Sequence, residues 1–194
     1  MTEEVRIVNA LWQMSATDRI NILALFHMIK REGASVVQQR RHQANVKYYS
    51  GRPHMTRWQL SGLTILFFSG GAIQMMGKLA TQSLVQRMRK TVLWMLTSKM
   101  QMVVDISQPV LKNMVVYCKY MKPFRLRGRP SNAHYFYEAE LFPAALIRRW
   151  APAHIALFPS GSLLCTGIKS WYSFQQIIID LHTFLGGGGG NGEE

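Results

Sequence analysis

Leu157-Phe158-Pro159-Ser160-Gly161, followed by Cys165-Thr166-Gly167 and an amphipathic run from Trp171, decides the fold, because it has an echo. About 90 residues earlier, Leu66-Phe67-Phe68-Ser69-Gly70, then Gly77 and a second amphipathic run, follow the same order, at a period too long for a solenoid. A short apolar run, a Ser-Gly turn, a second apolar run, a glycine and a helix make one supersecondary unit. Its recurrence with the Phe-x-Ser-Gly spacing intact points to an internal duplication.

Outward from the first copy, Val5 to Met14 is apolar and β-favouring. Ser15 and Thr17 can cap a helix whose apolar face is Ile20, Leu23, Ala24, Phe26 and Ile29, ended by Gly33. Ala34 to Trp58 is polar and basic and reads as short strands. Leu63 to Phe68 reads as a buried strand, Ser69 to Gly71 as a turn, and Ala72 to Met76 as the hairpin partner. Gly77 breaks the strand before a helix over 80–97, with Leu84, Met88, Val92 and Met95 inward and Gln86, Arg87, Arg89 and Lys90 in water. Gln108 and Pro109 mark a boundary.

Beyond it, Val110 to Tyr120 is again β-like and Pro123 to Asn132 is a basic loop. Two short strands lie between Tyr135 and Ala153, a third at Ile155 to Phe158, and Leu163 to Thr166 pairs back across the turn. A helix over Trp171 to Leu185 rests on Phe174, Ile177, Ile178, Leu181 and Phe184. The expected organisation is a first repeat over 1–107, a second over 108–185, and a glycine-rich flexible tail or cloning remnant over 186–194.

The chain has 194 residues, 48% of them hydrophobic, so a core can form. Its 23 Lys and Arg against 10 Asp and Glu give a formal charge of +13, which favours polyanionic partners, nucleic acid first among them. Two distant cysteines, Cys118 and Cys165, each in an apolar run, fit buried thiols better than a disulfide framework. The longest apolar runs fall well short of the roughly 20 residues of a membrane span.

Enzyme chemistry finds no foothold. The six histidines lack metal-ligand spacing and neither cysteine has a partner two residues away, so no metal or other cofactor is expected. Glu138 and Glu140 flank a strand entry, a poor acid and base pair. Pro159-Ser160-Gly161-Ser162 lacks the spacing of a nucleophile elbow, and no phosphate loop is present. No small-molecule substrate is implied.

The second half carries, in order, Asn113-Met114-Val115, Arg125-Leu126-Arg127-Gly128, Tyr137-Glu138-Ala139-Glu140-Leu141-Phe142-Pro143, Leu146-Ile147-Arg148, Pro152, Phe158-Pro159-Ser160-Gly161 and Thr166-Gly167-Ile168-Lys169. Any one block is weak, but their collinearity over about 75 residues resembles the C-terminal repeat of the TATA-box-binding protein family. The first half is similar more thinly, through Ile7-Val8-Asn9, the Phe-Ser-Gly turn and the basic helix over 78–90.

The resemblance implies an α+β, saddle-shaped fold of two pseudo-symmetric repeats, with one curved antiparallel sheet on the minor groove of A·T-rich duplex DNA and helices on its convex back. By similarity, Asn9 and Asn113 reach groove acceptors with Thr166 close by, and Val115 and Leu164 pack into the groove. Phe142 and Phe158 match the wedges that unstack a base step. Phe67 or Phe68 matches one wedge of the first repeat, with Tyr48 or Tyr49 for the other, and Arg148 matches a phosphate contact. Arg87, Arg89 and Lys90 fall on the helix where other initiation factors or polymerase machinery dock. Without the motif, Phe142 and Phe158 would be read as core.

The departures lie mostly in the first repeat: a methionine, Met75 or Met76, replaces the Thr before Gly77, and no second Phe wedge is evident. The expectation is a divergent, nuclear transcription initiation factor, with a DNA-blind interaction scaffold of the same fold as the alternative. Such divergence suits a fast-evolving lineage such as a large DNA virus, which would place the protein in the host nucleus.

Overall fold

The computed structural model describes residues 4–36, 45–60, 62–78, 82–119, 134–138 and 140–186. Among these residues, ten strands and three α-helices form an α+β arrangement, the strands hydrogen-bonded in the order β2-β3-β4-β5-β1-β6-β10-β9-β8-β7. The chain divides into two compact units, one of Asn9–Lys112 and the other of Met1–Val8 with Asn113–Glu194.

In the first of these, the ladder takes in the later part of β1 (Glu4–Ser15), with β2 (Asn45–Tyr49), β3 (Met55–Leu60), β4 (Leu63–Phe68) and β5 (Ala72–Gly77). Every pairing within it is antiparallel: β2 with β3, β3 with β4, β4 with β5, and β5 with β1. Helix α1 (Ile22–Val36) starts on Asn21, whose Oδ1 accepts from the Ala24 N–H at 3.1 Å. The cap is thus not Ser15, which ends β1, nor Thr17. The buried face is Ile22, Leu25, Met28 and Ile29, and the expected Leu23 points outward.

Helix α2 (Gln82–Trp94) passes into a π-helical turn, Met95–Lys99, and buries Val85, Met88, Val92, Met95 and Leu96. These side chains, with those of α1, cover Trp58, Ile65, Phe67, Ile73 and Met75, the inward set of β3 to β5. Strand geometry dictates that pattern, since successive side chains alternate between faces. In β4, Leu63, Ile65 and Phe67 are buried while Thr64, Leu66 and Phe68 lie on the opposite, open face.

The other unit repeats the plan with β6 (Val110–Lys119), β7 (Tyr135–Phe136), β8 (Ala145–Ile147), β9 (His154–Leu157), β10 (Ser162–Ile168) and α3 (Trp171–Gly186). Its order, β6-β10-β9-β8-β7, is that of β1-β5-β4-β3-β2. Met114, Val116, Cys118, Ile155, Leu157, Leu163 and Cys165 are buried on one face, and α3 contributes Phe174, Ile177 and Leu181 to that core. Ser170 caps α3, its Oγ accepting from the Ser173 N–H at 3.0 Å. The expected loop over 123–132 lies outside the described residues.

Gly167 forms a bulge inside β10, which runs on to Ile168, and its φ of +77° needs glycine. A Cβ there would sit 2.2 Å from the Pro152 carbonyl oxygen, and one on Gly77, at φ +150°, 2.1 Å from that of Gly62. Both glycines therefore stand where the strand turns against the start of its neighbour.

Candidate nucleic-acid interface

The hairpin turns fix how the two repeats correspond. The Gly71 N–H donates to the Phe68 carbonyl at 2.9 Å, and the Gly161 N–H to the Phe158 carbonyl at 2.9 Å. Both glycines have positive φ, +91° and +80°. Phe68, not Phe67, therefore matches Phe158, one residue away from the Phe-x-Ser-Gly alignment. Phe67 must be struck from the candidate contacts: it is fully buried, because its parity on β4 turns it into the core. On the same register Met76, not Met75, stands where Thr166 stands, and Met75 is core.

On the open face of the second-half unit, Asn113, Val115 and Tyr117 of β6 alternate with buried Met114, Val116 and Cys118. Leu164 lies between Tyr117 and Ala156, and Thr166 opposite His154. Leu146 faces Ala156 from β8, and Phe136 faces Leu146 from β7. The line Leu164, Ala156, Leu146 and Phe136 is apolar. Asn113 Oδ1 accepts from the Gly167 N–H in the bulge at 3.0 Å, which engages the acceptor end of the amide and leaves the nitrogen as its donor end.

Phe142 and Phe158 come together beside this row, ring centroids 6.3 Å apart and planes tilted by 55°. Phe142 is 39% exposed and Phe158 half-buried, so neither is sealed in the core. Arg148 follows β8, exposed, its N–H donating to the His134 carbonyl at 2.9 Å. Sequence reading missed Tyr117, whose ring lies under the Arg6 guanidinium at 4.6 Å and whose hydroxyl meets Ser162 Oγ at 3.1 Å. Its place two residues after Val115 on an alternating strand was the available signal.

In the other unit, Asn9 is exposed on β1 beside buried Ala10. Phe68 faces Met55, which faces Tyr49, so these three form a line across β4, β3 and β2. Tyr48 turns to the other face, against Phe26, with its hydroxyl 2.9 Å from His54 Nε2. Of the docking candidates, Arg87 and Lys90 are exposed. Arg89 is not free: its Nε donates to the Ile106 and Ser107 carbonyls at 2.9 and 3.0 Å, and its Nη2 lies 3.6 Å from Asp105. Its role is to hold the chain after α2, a correction to its place among the docking residues.

Burial pushes the Cys118 thiol up to about 11, and burial with the neighbouring Cys118 charge pushes Cys165 to about 12. Both are inert core thiols. Among the described residues no group of three metal-ligating side chains comes together, and no helix is long and apolar enough to cross a membrane.

Two antiparallel ladders of matching strand order, each with its helix, its positive-φ turn glycine and an open-face phenylalanine, define a protein of the TBP-like α+β class. Residues 108–185 match the family model for "Transcription factor TFIID (or TATA-binding protein, TBP)". Over that second repeat the chain is similar in sequence to the TBP family. Its fold is similar to a solved structure of Methanococcus jannaschii TBP, with a TM-score of 0.64 and 19% identity, covering 92% of this chain and 95% of that one. No curated protein sequence matches the chain. The family is one of transcription factors and not of enzymes.

Proposed function

We propose that this protein is a divergent transcription initiation factor that binds A·T-rich duplex DNA through the minor groove, bends it, and recruits transcription machinery. The observation that carries this is the Phe142 and Phe158 pair, in contact and outside the core, beside the apolar row Tyr117, Leu164, Ala156, Leu146 and Phe136. An apolar surface suits a groove floor that in A·T pairs offers acceptors and no amino group. The fixed amide of Asn113, with Thr166 nearby on the same strand pair as Leu164, supplies hydrogen bonding to those acceptors. Two phenylalanines at the end of the row wedge a base step, at a few kcal/mol per step, recovered as the bent duplex meets more protein.

Phe68, with Met55 and Tyr49 in line beside it, takes the corresponding place in the first repeat, and Asn9 that of Asn113. Arg148 contacts a phosphate, and Arg87 and Lys90 face docking factors. The formal charge of +13 supports association with a polyanion, and the site of action is where the DNA is, the nucleus in a nucleated cell.

Gel-shift titration with A·T-rich and G·C-rich duplexes of equal length at two salt concentrations, followed by circular-permutation bending, tests this. A bent complex that prefers the A·T-rich duplex is expected. Binding that ignores sequence and vanishes with salt reduces the protein to a charge-driven binder, and no binding beside a stable complex with a protein partner leaves only the scaffold.

A further inference from the structure

The two open faces have opposite chemistry. Matching Phe68 with Phe158 aligns Gln74 with Leu164, Leu66 with Ala156 and, through the pairings, Gln13 with Tyr117, Arg57 with Leu146 and Lys47 with Phe136. The second-half row is apolar from Leu164 through Ala156 and Leu146 to Phe136, with Tyr117 under Arg6 at its start. The first-half row reads Gln13, Gln74, Leu66, Arg57, Lys47: two carboxamides face each other at one end and two cations at the other.

Both carboxamides are turned from the core by parity. Gln74 sits between fully buried Ile73 and Met75, and Gln13 between core-facing Trp12 and Met14. A pair of half-buried glutamines on a surface destined for an A·T groove meets only acceptors there, so its carboxamide oxygens gain no partner from the DNA. Guanine changes this, because its N2 amino group is the one donor on the minor-groove floor. A carboxamide oxygen accepts from that group while the amide nitrogen donates to the neighbouring acceptor.

The cations carry the second strand of the argument. Lys47 and Arg57 are directly opposed across β2 and β3, an arrangement of like charges that destabilises a sheet unless an anion lies against it. A backbone phosphate beside the base pair read by Gln74 and Gln13 is such an anion.

From this we infer that the first repeat, through Gln13 and Gln74 with Lys47 and Arg57 beside them, reads a G·C-containing half-site, while the second repeat requires A·T. The target is then asymmetric and the protein sits on it in one direction. This rests on the DNA-binding reading above and adds to it the half-site chemistry.

The test scans a single G·C pair along an A·T duplex by fluorescence anisotropy with the full chain. In one half of the site, G·C is expected to bind as well as A·T or better. In the other half it costs on the order of tenfold or more, the loss for an amino group left without an acceptor. Gln74→Leu, which copies Leu164, is expected to extend the penalty to both halves, and Gln74→Asn, which keeps the carboxamide, to restore part of the tolerance. Equal penalties in both halves for the wild-type chain overturn the inference with no variant needed, as does an unchanged profile in folded Gln74→Leu. Failure to bind any duplex overturns the DNA-binding reading itself, and the half-site inference falls with it.

Discussion

The rings of Phe142 and Phe158 lie 6.3 Å apart between centroids at a tilt of 55°, although the two residues come from different connections of the β7 to β10 ladder. A pair kept this close outside the core forfeits part of the burial that large apolar side chains normally gain, a loss that binding can recover.

Phe142→Ala and Phe158→Ala are each expected to keep the fold, at about 1–2 kcal/mol or less in denaturant titration, because neither ring is in the core. End-to-end energy transfer across a bound duplex should fall to the value of straight DNA in either variant. Phe67→Ala, by contrast, empties a fully buried site and should cost about 3–5 kcal/mol.

Gly167→Ala and Gly77→Ala should each destabilise by roughly 1–3 kcal/mol or more, since the new Cβ meets a backbone carbonyl that cannot step aside. Asn113→Ala removes only the bond to the Gly167 N–H and should cost about 1 kcal/mol. Melting temperatures of the three variants, measured side by side, check the order.

Arg89→Ala should lose about 1.5–3 kcal/mol, because the Ile106 and Ser107 carbonyls lose a charged donor. Arg87→Ala should stay within about 0.5 kcal/mol. Urea unfolding of the pair separates the structural arginine from the exposed one.

Stability should fall as pH rises from about 9 to about 11. The thiols of Cys118 and Cys165 stay protonated in the fold, while in the unfolded chain they ionise near 9.0. The unfolded state therefore binds fewer protons in that window and gains on the native one. Replacing both cysteines by alanine should flatten this part of the profile, and thiol reagents should leave the native protein unmodified.

Much of this was legible along the chain. Leu63 to Phe68 forms a strand as expected, though only every second residue is buried, the Ser-Gly turns fall where they were read, and the amphipathic runs became α2 and α3. What slipped was parity. A motif that tolerates a shift of one residue exchanges the faces of a strand, which is how Phe67 was offered beside Phe68. Likewise Ser15 and Thr17 have capping side chains, but β1 runs through Ser15 and Asn21 makes the bond.

The sequence by itself determined the order of the elements, the duplication and the charge, because these follow from local periodicity, from turn chemistry and from composition. Only the tertiary structure decided which residues share a face across strands far apart in the chain. Pairing joins Gln13 to Gln74 and Lys47 to Arg57 through hydrogen bonds between backbones, and no spacing within one strand encodes its partner. Arg89 shows the same limit: its helix position predicts water, and the carbonyls that hold it arrive from a segment folded back beside it.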